Sequence, residues 1–125
     1  MSVNPAHLVE RLFAQVAAEH FDFTITLSDR EDEGRWLQLR GNTVNVAYPH
    51  TDPPETVFAA TGVFGTVSWD VVGWEPGRYA TVDWGTDDGP GRIGEQDILI
   101  GVLTRMLETH LGLPVDSGRW VVEEQ

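Results

Sequence analysis

Apolar side chains recur at intervals of three and four residues near the C-terminal end of the chain, the pattern of a helix with one buried face. The apolar positions are Ile98, Leu99, Val102, Leu103, Met106, Leu107 and Leu111. Glu95 and Asp97 lie in the first turn, where the helix dipole favours negative charge. Gly112 and Pro114 follow the last apolar position and predict the end of the helix. We expect the rest of the chain to be organised around this helix.

A second segment with helical spacing covers residues 5–20. Asn4 is a suitable N-cap and Pro5 a suitable first residue, because the first turn leaves its N–H groups unpaired and proline has none. The apolar face consists of Leu8, Val9, Leu12, Phe13, Val16 and Ala17. This pattern predicts an N-terminal amphipathic helix.

Between the two helices the period changes to two, which indicates strands with one buried and one exposed face. Residues 21–28, 35–40 and 43–48 each alternate apolar and polar side chains. The charged residues 29–34 predict a loop after the first strand. A Gly-Asn pair at residues 41–42 predicts a tight hairpin turn, because both residue types tolerate positive φ. The three strands therefore predict an antiparallel meander.

Residues 52–66 support two alternatives. Asp52, two prolines and Glu55 resemble an N-cap, a first turn and a capping-box acid, which favours a short helix over residues 56–60. The β-branched and aromatic side chains at residues 56–58 instead favour a strand. The sequence leaves this choice open.

Two further strands are predicted over residues 67–72 and 79–84, joined by a Glu-Pro-Gly-Arg sequence at 75–78 that suits a type II turn. Residues 119–123 can add a last strand. Strands flanked by helices favour an α+β fold. We predict a single domain over residues 1–125, a two-layer sandwich in which an antiparallel sheet carries the N-terminal and C-terminal helices on one face.

The charge balance narrows the class of partner. The chain has 20 acidic and 8 basic residues, for a formal net charge of −12. Such a field repels nucleic acid and anionic lipid and attracts basic partners. The absence of cysteine excludes disulfides, thiolate nucleophiles and cysteine-ligated zinc. With no apolar run of transmembrane length and no secretory leader, we expect a cytoplasmic protein that binds neither nucleic acid nor membrane.

Motifs for catalysis are sparse. Residues 89–94 spell GxGxxG, but Pro90 removes an amide donor, and Asp87 and Asp88 would repel a phosphate. A plain connection between strand and helix explains this segment better than a nucleotide site. The histidines are too far apart in sequence for a helical metal motif, and no serine stands in a GxSxG elbow. We therefore predict no catalytic residue, no metal site and no cofactor.

A small metal-dependent or ligand-binding enzyme stays open as an alternative. Asp83, Asp87 and Asp88 are close in sequence, and hard cations such as Ca²⁺ prefer clustered carboxylates. His50 would complete this candidate site.

Tryptophan is the most informative residue type in the chain. The five tryptophans, Trp36, Trp69, Trp74, Trp84 and Trp120, all lie in or beside predicted strands. Trp36 and Leu37 are neighbours in one strand, so only one of them can face the helices. Trp74, near the predicted turn, is expected to have different surroundings from Trp69. An aromatic-rich core is one explanation of this content.

The other explanation is an uncovered sheet face whose tryptophans anchor a partner protein. In that case we predict Trp36 and Trp74 as contact residues. Acidic residues of two loops would steer a basic partner towards them. These residues are Glu31, Asp32, Glu33, Asp87 and Asp88.

The helical segment 5–20, the strands over 21–48 and the helix over 95–111 together resemble the small acidic chaperones, a class that includes the type III secretion chaperones and the YbjN-like proteins. The resemblance implies a non-catalytic, dimeric adaptor that shields part of another protein. The tryptophan-rich hairpin over 67–84 departs from that class, being longer and more aromatic. The leading prediction is an acidic protein-binding module that forms a homodimer. The alternative among binding proteins is an immunity or antitoxin protein that blocks a basic toxin site.

Overall fold

The computed structural model describes residues 3–20, 22–41, 43–65, 67–85 and 95–124. Its helices are α1 (Pro5–Ala17), α2 (Pro54–Thr61) and α3 (Glu95–Arg105), and none of them is both long and apolar enough to cross a membrane. Its strands are β1 (Ile25–Asp29), β2 (Asp32–Arg40), β3 (Thr43–Ala47), β4 (Ser68–Glu75), β5 (Tyr79–Gly85) and β6 (Trp120–Glu124). They form one antiparallel sheet in the order β4-β5-β3-β2-β1-β6. The prediction of an α+β fold with helices near both ends of the chain is confirmed.

α1 and α3 pack on one side of the sheet, which we call the inner face. Every second residue of the central strands points to this face and is almost fully buried: Ile25, Leu27, Leu37, Leu39, Val44, Val46, Ala80 and Val82. The helical side of the core consists of Leu8, Val9, Leu12, Phe13, Leu99, Val102, Leu103, Met106 and Leu107. Burial of this apolar surface is the main favourable term in folding.

The first helix and first strand are shorter than predicted. α1 ends at Ala17, and β1 begins only at Ile25. The N–H of His20 bonds to the carbonyl of Gln15 at 2.9 Å, and Glu19 has a φ of 65°. A left-handed residue of this kind closes a helix, so α1 ends with the last residue of its apolar face, Ala17, three residues short of the predicted end.

The predicted loop at residues 29–34 is the tip of a β-hairpin. β1 extends to Asp29 and β2 begins at Asp32, and these two residues face each other across a two-residue turn. The pairing shifts register between Ser28 and Asp29. The charged residues 29–34 predicted a loop because charged side chains are rare inside sheets. The exposed tip of a hairpin also accommodates such side chains.

The helix α2 settles the choice left open for residues 52–66. Pro53, rather than Asp52, is the N-cap residue and no side chain caps the helix, so the predicted cap is wrong. The N–H of Gly62, whose φ is 66°, bonds to the carbonyl of Phe58 at 3.0 Å and ends the helix. Phe58 is only 1% exposed. Its packing outweighs the strand preference of the local sequence.

α3 continues into a π-helical turn, Met106–His110, that the periodicity does not predict. The N–H of Leu111 bonds to the carbonyl of Met106 at 2.9 Å, one residue further back than in an α-helix. Gly112 then adopts a φ of 74°, as predicted for the end of this helix. Turns of this type often occur at functional sites.

A β-bulge between Val71 and Gly73 changes the alternation along β4. Because of the extra residue, Trp74 pairs with Ala80 and points to the inner face, as Trp69 does. The two tryptophans therefore share a face, although their rings contact different residues: Phe58 and Phe64 surround Trp69, and Tyr48 contacts Trp74.

Candidate functional site

The second side of the sheet, which we call the outer face, carries the residues that alternate with the core. They are Thr26, Ser28, Trp36, Gln38, Thr43, Asn45, Tyr79, Thr81 and Asp83. All of them are at least partly exposed. The outer face is therefore a broad, mostly polar surface opposite α1 and α3.

A ladder of side-chain hydrogen bonds crosses the outer face over four adjacent strands. The Thr81 hydroxyl donates to Asn45 Oδ1 at 3.0 Å, and Asn45 Nδ2 donates to Gln38 Oε1 at 3.3 Å. Gln38 Nε2 donates in turn to Thr26 Oγ1 at 3.4 Å. Since these polar groups satisfy one another, a partner can cover the ladder without leaving them unpaired.

Two partly buried aromatic side chains, Trp36 and Tyr79, flank a cavity of about 400 Å³ on the outer face. Its other lining residues are Gly34, Gly77 and Arg78. The guanidinium of Arg78 is already paired with a neighbouring glutamate at 2.8 Å. The site is thus an aromatic depression with two glycines, which leave room for a side chain from a partner.

The structure separates the two tryptophans that we predicted as contacts. Leu37 is fully buried and Trp36 lies on the outer face, so the prediction that they point to opposite sides is confirmed. The ring of Trp74 instead packs edge-on against Tyr48, with centroids 5.8 Å apart. Trp74 is half-buried and does not join Trp36 in one patch. Tyr79 lines the cavity with Trp36 instead. Tyr79 alternates with the apolar Ala80 along the strand, and this alternation could have predicted that the Tyr79 side chain points to the outer face.

The predicted acidic residues of the first loop, Glu31, Asp32 and Glu33, are exposed at the β1–β2 tip. Glu31 forms an ion pair with Arg119 at 2.8 Å, and Asp32 lies 4.0 Å from Arg35. These arginines partly neutralise the tip. The other two predicted acidic residues, Asp87 and Asp88, lie outside the described residues.

Asp29 forms an ion cluster that the sequence analysis did not identify. Its buried carboxylate accepts hydrogen bonds from Arg119 Nη2 at 2.6 Å, Arg35 Nη1 at 2.7 Å and the N–H of Glu31 at 2.9 Å. Burial alone would raise the pKa of Asp29, but the hydrogen bonds from Arg119, Glu31 and Arg35 outweigh it and lower the pKa from 3.8 to about 2. Arg35 Nε also donates to the carbonyl of Leu111 at 2.7 Å. The cluster therefore ties β1, β2, the start of β6 and the end of the main helix together.

A second cluster surrounds His110 at the end of the π-helical turn. Its ring stacks on Tyr48 and meets Phe58 edge-on, with centroids 6.1 Å and 5.0 Å apart. His110 Nε2 lies 2.9 Å from the carbonyl oxygen of Ala47, which can only accept, so Nε2 is the protonated nitrogen. His110 Nδ1 is buried without a hydrogen-bond partner among the described residues. Packing against these two rings, together with the contact to Ala47, therefore fixes the position of the His110 ring.

Burial lowers the pKa of His110, and the charge of nearby His50 lowers it further, against the opposing hydrogen bond to Ala47. The folded state therefore favours the neutral ring more than the unfolded chain does. Stability from this group is complete above the unfolded pKa of about 6.5 and falls as the pH drops below it. We predict that His110→Gln flattens the dependence of the unfolding free energy on pH between about 7 and 5, measured by urea denaturation. An equally steep profile in the variant would contradict this assignment.

Two of the residues proposed for an enzyme site, Asp83 and His50, lie at opposite ends of the β3–β5 ladder. Asp83 accepts a hydrogen bond from the Thr43 hydroxyl at 2.7 Å, at one end of the β3–β5 ladder. His50 lies beyond Ala47 at the other end, and the four residue steps from Thr43 to Ala47 span ~13 Å. Residues 87–88 are outside the described residues. In the described ranges, no three residues of metal-ligating type are grouped so as to hold an ion.

No family model matches the chain, and neither a curated protein nor a solved structure is significantly similar to it. The resemblance to type III secretion chaperones and YbjN-like proteins therefore stays a prediction. Function has to be argued from the surfaces just described.

Proposed function

We propose that this chain is a non-catalytic, chaperone- or adaptor-like module of the cytoplasm that binds a partner protein through the outer face of its sheet. The observation that carries the proposal is the pair of partly exposed aromatic side chains, Trp36 and Tyr79, around one cavity on that face. Tryptophan and tyrosine are enriched among the residues that contribute most to binding free energy.

The polar ladder supports the same surface. Burying a polar group costs free energy when its hydrogen bonds are lost. The ladder from Thr26 to Thr81 keeps its hydrogen bonds when water leaves, so the flat part of the outer face can be covered at low cost. The aromatic cavity would then supply most of the affinity.

The charge of the chain selects the class of partner. A net charge of −12 attracts a partner with a basic surface and raises its association rate. Glu33 at the exposed β1–β2 tip lies on the same strand as Trp36, so part of this charge is close to the proposed contact. Steering of this kind weakens as salt screens the charges.

We predict that replacing both aromatic anchors, Trp36→Ser with Tyr79→Ser, weakens partner binding by at least about 30-fold, since truncating an anchor of this type typically costs about 2 kcal/mol or more. The partner is first isolated by affinity capture on the full chain in the native host and identified by mass spectrometry. Its affinity for the wild-type chain and the variant is then measured by calorimetry in a salt series.

Val72→Ser is the matched control, because Val72 is 55% exposed on edge strand β4 and its loss also removes exposed apolar surface. We expect this control to bind like the wild type. A partner that binds the double variant as tightly as the wild type would refute the outer-face site. Affinity that does not fall with rising salt would refute charge steering.

A further inference from the structure

The two edge strands of the sheet differ in how they are protected. Edge strands expose unpaired backbone groups, and bulges or charges normally prevent other chains from pairing with them. β4 contains the bulge between Val71 and Gly73. β6 has no bulge: it pairs with β1 in continuous register over all five of its residues. On the side away from β1, no described strand pairs with β6.

The hydrogen-bond pattern shows which residues of β6 face the open side. The N–H of Arg30 bonds to the carbonyl of Arg119 at 2.9 Å, so these residues form a hydrogen-bonded pair. Pairs of this kind alternate along an antiparallel ladder. Val121 and Glu123 are therefore bonded to β1. The residues whose backbone N–H and C=O groups point away from β1 are Trp120, Val122 and Glu124.

A cleft between β6 and α1 runs along this open edge. Its volume is about 510 Å³, and it is lined by Val3, Asn4, His7, Leu8, Arg11, Val122 and Glu124. The side chain of Val122 points into the cleft and is 39% exposed, although its phase belongs to the inner face. Alternate side chains of an added strand would enter this cleft while its backbone bonds to β6.

We propose that β6 is a docking strand that takes an extended, basic peptide segment of a partner protein by strand addition. This site is distinct from the outer face and does not depend on the function proposed for it. The peptide contributes apolar side chains to the cleft and a lysine or arginine next to Glu123. Glu123 has no ion-pair partner among the described residues, whereas Glu124 is paired with Arg11.

A basic segment fits this edge better than a second copy of the chain does. Two copies would each bring a net charge of −12. Antiparallel pairing of two β6 strands centred on Val122 would also place Glu124 opposite Trp120 and Glu123 opposite Val121. Neither contact supplies a cation to the glutamates, so charge argues for a partner of opposite sign.

The test is a selection of random decapeptides displayed on phage against the full chain. We expect the enriched peptides to alternate β-branched or aromatic residues and to carry lysine or arginine. Val122→Pro should weaken their binding by at least about tenfold, because proline removes an outward N–H without breaking a bond to β1. Hydrogen exchange should show that the Val122 and Glu124 amides become protected when a selected peptide binds.

Val122→Ile is the matched control, since isoleucine keeps the N–H, the β-branched shape and the apolar surface, and its affinity should stay within about threefold of wild type. Circular dichroism melting checks that both variants fold. Failure to enrich any peptide, or peptides that bind Val122→Pro as well as wild type, would overturn the proposal. Sedimentation showing a wild-type dimer that Val122→Pro dissociates would assign the edge to a second copy instead. Peptides whose binding requires Trp36 and Tyr79 but not Val122 would overturn the strand-addition proposal and would leave the outer-face proposal intact.

Discussion

Replacing Asp29 by asparagine is expected to lower the free energy of unfolding by about 3 kcal/mol, because it removes the buried carboxylate shared by two arginines and leaves them only the exposed carboxylates of Glu31 and Asp32. Arg119 and Arg35 both donate to the Asp29 carboxylate, and their own side chains are only partly exposed. Asparagine keeps the size of the side chain, so the loss reports charge and hydrogen bonding rather than a cavity. Urea denaturation at pH 7 measures the change.

Asp32→Asn is the control for Asp29→Asn. Its carboxylate is half-exposed and 4.0 Å from Arg35, and we expect a change of less than about 0.5 kcal/mol. Because the pKa of Asp29 is lowered to about 2, its contribution of about 2 kcal/mol is complete above pH ~4 and is lost as the pH falls towards 2. Equal losses in the two variants, or a difference that persists at pH 2, would show that the ion cluster has been misassigned.

Phe58→Ala is expected to cost about 3 to 5 kcal/mol, the range for removing a buried phenylalanine. The ring of Phe58 contacts Tyr48 at 5.8 Å, Phe64 at 5.7 Å, Trp69 at 6.1 Å and His110 at 5.0 Å between centroids. It therefore joins α2 to the sheet and to the π-helical turn. Thermal unfolding and urea denaturation together measure the loss.

Val57→Ala, on the same helix but only partly buried, is the comparison for Phe58→Ala and should cost about 1 kcal/mol. Phe58→Leu should lie between the two, because leucine fills part of the space. A phenylalanine variant no less stable than the Val57 variant would mean that α2 is not fixed by the aromatic cluster.

The alternation of side chains made the sheet largely predictable. Leu37 and Leu39 fall in phase with Val44 and Val46, and the structure places all four in the core. The same alternation predicted that the side chains of Trp36 and Leu37 point to opposite faces of the sheet. The face to which a strand residue points follows from its neighbours in sequence, since the side-chain period of a strand is two.

Features that depend on the backbone or on distant contacts were not predictable in this way. The bulge at Val71 adds one residue to β4 and reverses the direction expected for Trp74. The π-helical turn and the position of His110 depend on packing against Tyr48 and Phe58, which are more than fifty residues away in sequence. Local periodicity carries no information about such contacts.

The Asp29 ion cluster was predictable only in part. Asp29 continues the phase of Ile25 and Leu27, so its inward direction follows from extending the predicted strand by one residue. Its partner Arg119 is ninety positions further along the chain. The sequence therefore contained the signal for burial of a carboxylate, but not the identity of the group that neutralises it.

The pairing of β1 with β6 has a consequence for how the protein folds during synthesis. β1 is made early, yet one of its two neighbours in the sheet, β6, ends at Glu124. While the ribosome is still translating the intervening hundred or so residues, that side of β1 has no partner strand. Contacts between such distant positions close late and slow the search for the native state. We therefore expect nascent chains that stop before residue 119 to remain only partly folded.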